Sequence, residues 1–243
     1  MLLGIVTIPA VVNVGFSYVT RNRLVNAVEL ISYREYVGVS SALLVFVALT
    51  APDIVCPDRR QRVLVLLFAR PLAGVDYVVA KIGAIFSILF AFSFLPQVLL
   101  FVGQALVSDR ALEYVGDNLE VLWKVPLSVS LLALFYAVVG VAIASLASRR
   151  IVAGASFIGF FLVSSITSGI LAGGPDETGS TAALVNVLGL PLYLRDLVFL
   201  GQIDPASPLG GVRNGGLYAV AAYGMVAAVA GAVLVYRYRW TER

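Results

Sequence analysis

The segment 53-DIVCPDRRQRVLVLLFARPLAGVDYVVAK-81 is the one long basic piece of the chain, and strongly apolar runs flank it on both sides. Asp58, Arg59, Arg60 and Arg62 crowd its first part, Val63 to Phe68 is apolar, and Arg70-Pro71 precedes Asp76, Tyr77 and Lys81. A charged head followed by an apolar ridge suits a helix lying at a membrane surface. Its arginines face lipid phosphates and water, and its ridge is offered to a partner or to the bilayer. Pro71 and Gly74 are expected to break that helix before the next span. The same charge is also what the positive-inside rule asks of an ordinary cytoplasmic loop, so charge alone does not select a docking role.

Composition fixes the class. The chain has 243 residues, of which 60% are hydrophobic and 13% charged, against a charged fraction of about a quarter in soluble domains. A bilayer-spanning helix needs about 20 mostly apolar residues. The expectation is therefore an all-α polytopic membrane protein, one transmembrane domain with six spans at about 2–19, 36–55, 82–106, 126–147, 151–172 and 216–236. Too little chain remains for a soluble catalytic or nucleotide-binding domain. A single cysteine, Cys56, excludes an intramolecular disulfide, and the absence of histidine removes the commonest general base, proton shuttle and zinc ligand.

In chain order, the first run carries Pro9 and Asn13 and lacks the basic start and cleavage site of a secretory signal, so it reads as a span that stays. Residues 21–35 form an outer loop or short surface helix. In the third span Pro96 removes a backbone hydrogen bond beside Gln97, which places an amide at membrane depth. That pair fits a cavity wall and fits packing against a neighbouring helix equally well. Residues 107–124 form an acidic outer loop with Asp109, Glu113, Asp117 and Glu120, and the turn at Arg149-Arg150 is tight. The region 173–215 is apolar between 182 and 200 but interrupted by Pro191, Arg195 and Asp196. A charge at the centre of a spanning helix costs roughly 2.5 to 3.5 kcal/mol, so this region is not expected to cross.

Charge distribution orients the chain. The loop 53–81, the turn after the fourth span and the C-terminal tail hold ten Lys/Arg against four acids, a net +6. The remaining loops hold seven against ten, a net −3, and together they give the whole-chain +3. Basic loops stay cytoplasmic, so both termini are expected there. The basic residues cluster at membrane edges, which argues against a nucleic-acid partner. No HExxH, GxSxG or GxxxxGK[ST] pattern is present, and Ser164, Ser165 and Ser168 on the fifth span have no nearby base; they are expected to bond backbone or a neighbouring helix. The spans carry no Asp, Glu, Lys or Arg away from their ends, whereas ion-coupled transport needs ionisable groups inside the membrane. Energy for any transport would come from outside the chain.

The pair Asp58-Arg59, then Arg70-Pro71 about a dozen residues on, then Tyr77 and Lys81 leading into an apolar span, resembles the first cytoplasmic loop of type-2 ATP-binding-cassette exporter permeases. Asp58 stands where that family usually has Glu, Ala80 stands before Lys81 where Gly is common, and the chain opens at Met1-Leu2 without the usual interfacial basic helix. The resemblance implies a coupling helix in the loop 56–81, with Asp58, Arg59, Arg60, Arg62, Arg70 and Pro71 contacting a separate ABC ATP-binding subunit and Arg149 and Arg150 a smaller second contact. It implies export across the plasma membrane, ATP held by the partner and no cofactor in this chain, a second permease subunit, identical or paralogous, and re-entrant or surface helices in 173–215. Phe90, Phe94, Gln97 and Phe101 near Pro96 would suit a path for a lipophilic or amphipathic cargo, and equally a core or lipid-facing aromatic surface. Small pairs Gly224/Ala228 and Ala227/Gly231 permit close helix approach, within the monomer or across a dimer. The competing class is a membrane protein without a motor, such as an assembly, immunity or scaffold factor.

Overall fold

Phe135, Tyr136 and Ala137 are consecutive in sequence, and all three are 0% exposed. Successive helical residues point about 100° apart, so a helix that buries three in a row is covered over more than half of its circumference, with Leu134, 43% exposed, on the face left open. In the computed structural model of the chain this helix is the axis of the fold. The structure describes residues 7–8, 10–15, 32–37, 40–60, 74–108, 110–172 and 179–239, and within these all side chains except those of 40, 41, 58–60 and 239.

The described elements are helical throughout: α1 (Tyr33–Val37), α2 (Ser40–Arg60), α3 (Gly74–Val107), α4 (Ala111–Asp117), α5 (Leu119–Leu146), α6 (Arg150–Ala172), a 3-10 turn (Thr181–Val185), α7 (Leu190–Leu200) and α8 (Gly215–Arg239). The central α5 packs against α2, α3, α6, α7 and α8. Among the described residues five helices are long and apolar enough to cross a membrane: Tyr33–Pro57, Gly74–Val107, Leu119–Leu146, Arg150–Ala172 and Gly215–Tyr238. They fall on the second to sixth expected spans. The first expected span, 2–19, lies mostly outside the described residues; its helical residues 10–15 pack on α3, where Gln104 donates to Asn13 at 3.2 Å and Gly103 leaves room for Val14.

The helices run further than the apolar runs that announce them. α2 continues through Pro57 to Arg60, and α3 begins at Gly74, eight residues before the expected start at Ile82. Gly74 is thus the first residue of the span's helix, and the expected break before it at Pro71 lies outside the described residues. α5 begins at Leu119, seven residues before Pro126, so part of the expected acidic loop is helical. α3, with 34 residues, is about 51 Å long, against a hydrocarbon core of about 30 Å.

The chain between Ala172 and Gly215 begins and ends at one end of the bundle. Ser168 donates to the Ala182 carbonyl at 3.0 Å, Tyr136 to the Leu188 carbonyl at 3.5 Å, and Lys124 to the Phe199 carbonyl at 3.3 Å. The segment therefore descends beside α6, turns at Asn186–Gly189 near the middle of α5, and returns along α5 as α7. The 11 residues of α7 make about 16 Å of helix, too short to cross a bilayer, as expected. Gly201 ends α7 with φ +71° and donates its N–H to the Leu197 carbonyl at 3.0 Å, a left-handed cap that glycine takes without a Cβ penalty.

α2 is wedged against α5 and α6 through small residues. Pro52 has no N–H to give the carbonyl of Ala48, and it is this carbonyl that α6 approaches most closely: a Cβ added at Gly154 would lie 2.7 Å from Ala48 O. Ala51 and Val47 sit in the same way against Gly140. Replacing Gly154 by Val is expected to destabilise the protein by about 1–3 kcal/mol, read as a lower melting temperature in detergent. Gly159→Ala, on the same helix where an added Cβ meets nothing, is expected to leave the melting temperature unlowered or slightly raised.

Candidate functional site

One end of the bundle collects the basic segments. Lys81 of α3 reaches back to the Ile54 carbonyl of α2 at 3.0 Å, and Arg150 at the start of α6 pairs with Asp53 of α2 at 2.9 Å. Arg237 near the end of α8 donates to the Ser145 carbonyl of α5 at 3.0 Å, and the Tyr77 and Tyr238 rings lie 5.1 Å apart. The described parts of the three stretches that carry the net positive charge in sequence therefore meet at one end of the bundle. The Asp53–Arg150 pair is mostly exposed, and an exposed pair of this kind contributes little to stability. Its geometric effect is to tie the α5–α6 turn to the helix that enters the loop 61–73.

Of the expected partner contacts, Asp58, Arg59 and Arg60 form the last turn of α2, with their side chains outside the described set. Arg62, Arg70 and Pro71 lie outside the described residues. Arg149 and Arg150 are exposed at this same end. Lys81 and Arg237 were counted with the basic residues of this side, but not as ties between helix ends. A lysine 27 residues from Ile54 gives no local sign that it will bridge two helix ends.

At the opposite end a buried cluster holds α1 to the 179–215 region. Arg195 and Asp196 are 9% and 3% exposed. Arg195 donates to Asp196 Oδ1 at 3.0 Å from Nε and 2.7 Å from Nη2. Arg34 of α1 lies 3.7 Å from the same oxygen and also pairs with Asp204. Two cations meet two anions, so burial is tolerated because no charge is left alone. The sequence marked Arg195 and Asp196 only as interruptions, and Arg34 only as a loop residue; their meeting depends on the fold. The Ala206 backbone N–H, and then the Arg34 guanidinium, hold the Asp204 carboxyl below its ordinary value of 3.8.

Between α3 and α5, towards this second end, the expected path residues meet. Phe94, Gln97 and Phe101 line one cavity of about 260 Å³, with Tyr33 of α1 and with Leu122 and Pro126 of α5. Phe90 stacks on Phe94 with ring centroids 5.1 Å apart, and Tyr33 shares a 2.7 Å hydroxyl bond with Tyr114. Gln97 is 2% exposed, and its Oε1 has no hydrogen-bond partner among the described residues. Ser164 and Ser168 give their hydroxyls to the Phe161 and Ala182 carbonyls. On α8, Gly224 and Ala228 are exposed, and an added Cβ at Gly224 or Gly231 meets nothing; among the described residues these glycines mediate no close approach.

No protein-family model, curated protein or solved structure matches the chain.

Removing one anion from the buried cluster leaves two arginines against one carboxylate. Asp196→Leu is accordingly expected to cost about 3–5 kcal/mol, seen as a large drop in melting temperature. The sign of the Asp204 effect follows from its lowered value. Its stabilisation is fully present above the unfolded aspartate's 3.8 and is lost as pH falls through the lower folded value. Asp204→Asn is expected to flatten the fall in melting temperature below pH 3.8, with less effect on its shape at neutral pH.

Proposed function

We propose that the chain is the transmembrane subunit of an ATP-binding-cassette exporter of the type-2 kind, moved by a separate ATPase subunit. The observation that carries this reading is the tying of α2, α3, α5, α6 and α8 at the basic end by Lys81 to Ile54, Arg150 to Asp53 and Arg237 to Ser145. Both helices that flank the loop 61–73 belong to that block. A push on the loop is delivered to α2 and α3 together, and through Asp53 to the start of α6. Rigid elements tied in this way carry a partner's closure into a bundle.

In this reading the basic end faces the cytoplasm, where lysine and arginine are retained. Six spans cross the plasma membrane with both termini inside, and the segment from the 3-10 turn through α7 is a re-entrant hairpin in the outer leaflet. Broken backbone at membrane depth is tolerated where protein surrounds it, and α5, α6 and α8 pack around this hairpin. The outward face of α8 with Gly224 and Ala228 is the surface left for a second permease subunit. The cargo is lipophilic or amphipathic, met by the aromatic cavity between α3 and α5.

The test is co-purification with the ATPase encoded beside the gene, followed by reconstitution. Arg59→Glu with Arg60→Glu is expected to leave insertion intact and to reduce transport-linked ATP turnover to that of the ATPase alone. Unchanged turnover, or a chain that purifies from its own cells with no ATPase at all, contradicts the proposal and favours the motorless class.

A further inference from the structure

The cavity between α3 and α5 is apolar except for the Gln97 amide and the Tyr33 hydroxyl, which is already bonded to Tyr114. Gln97 lines it, almost fully buried, with an Oε1 that no described residue satisfies. A buried acceptor left in this state is unfavourable relative to a bonded one. Rotation about the last torsion of a glutamine side chain is soft, so this oxygen turns towards the cavity with little strain. Across from it, Pro126 has no N–H, which leaves the carbonyl of Leu122 without its i+4 donor. The Gln97 amide and the Leu122–Pro126 turn thus lie at a space lined by Phe94 and Phe101.

The open side of that space is Val98 at 37% and Leu122 at 56% exposure, on the outward surfaces of two helices long and apolar enough to cross a membrane. A ligand entering there comes from the hydrocarbon phase. Its volume of about 260 Å³ lies just under the range of about 300 to 1,000 Å³ common for small-molecule sites, which suits one or two rings. Aromatic walls favour a flat, ring-bearing molecule. The unpaired Gln97 oxygen favours one that brings a hydrogen, because only a donor relieves it.

We infer that this cavity is a binding site for a small, flat, apolar molecule carrying one O–H or N–H donor, taken up laterally from the bilayer and held by Gln97. The inference rests on the permease reading in taking the site as part of the cargo path, and narrows the cargo to hydrogen-bond-donating aromatics.

The test compares 2-naphthol with 2-methoxynaphthalene, probes of similar shape that differ in the donor. Binding is measured by equilibrium dialysis of the full chain in lipid nanodiscs, with empty nanodiscs subtracted. The wild type is expected to hold 2-naphthol about tenfold more tightly. Gln97→Leu is expected to bring the two probes within about twofold of each other, and Val98→Trp, at the exposed mouth, to abolish saturable binding of both. Equal affinity for the two probes in the wild type overturns the inference, as does a preference that survives Gln97→Leu, or no binding above empty discs. Any of these results obtained with ATPase association intact sinks the ligand assignment alone. Donor-selective binding by a chain that associates with no ATPase sinks the permease reading alone.

Discussion

A charge cannot be left unpaired where there is no water, and this one constraint arranges the described residues. Among the long helices, ionisable side chains are confined to the ends. At the basic end they take up backbone carbonyls, as Lys81 does at Ile54 and Arg237 at Ser145. In the interior of the hairpin, where Arg195 and Asp196 are buried, they are balanced by Arg34 and Asp204 from other parts of the chain. Apolar packing supplies most of the area and α5 its centre, but packing alone does not say which helix ends belong together. The charges do.

The two ends are built for different work. The basic end is a set of short ties between helix ends, each from a long flexible side chain to a carbonyl or an exposed carboxylate. Such ties hold position without locking it. The other end is a dense plug, in which α1, α7 and the 3-10 turn sit against the central helices and the buried charge cluster fixes their register. Under the proposed function, a bundle pushed from its basic end needs a compliant input and a firm opposite support, and this charge arrangement suits both.

Much of this was legible in the sequence, because hydropathy and charge are read directly from side chains. The five long helices lie on expected apolar runs, and the helix in 173–215 is too short to cross, although Pro191, Arg195 and Asp196 lie within it and do not interrupt it. Helix ends were legible only in part. A hydropathy run measures the apolar length, whereas α3 starts at Gly74 and carries Asp76 and Lys81 before its most apolar stretch. Pro126 resembles a helix start and is an interior residue instead. Gln97 stood out beside Pro96, and it does line a cavity with Phe94 and Phe101. Arg34 could not be singled out, since its partners lie more than 160 residues away. Long-range pairing leaves no trace in local spacing.

The central claim is that the basic end lies inside the cell and the hairpin end outside. It is tested most directly by single-cysteine labelling in whole cells, after replacement of the sole, buried cysteine by Cys56→Ala. Ser148→Cys places a thiol on the exposed α5–α6 turn, and Ala206→Cys places one on the exposed loop after α7. A membrane-impermeant maleimide is expected to label the Ala206→Cys protein in intact cells and to reach Ser148→Cys only after the membrane is opened. Labelling of Ser148→Cys in intact cells, with Ala206→Cys protected, contradicts the account.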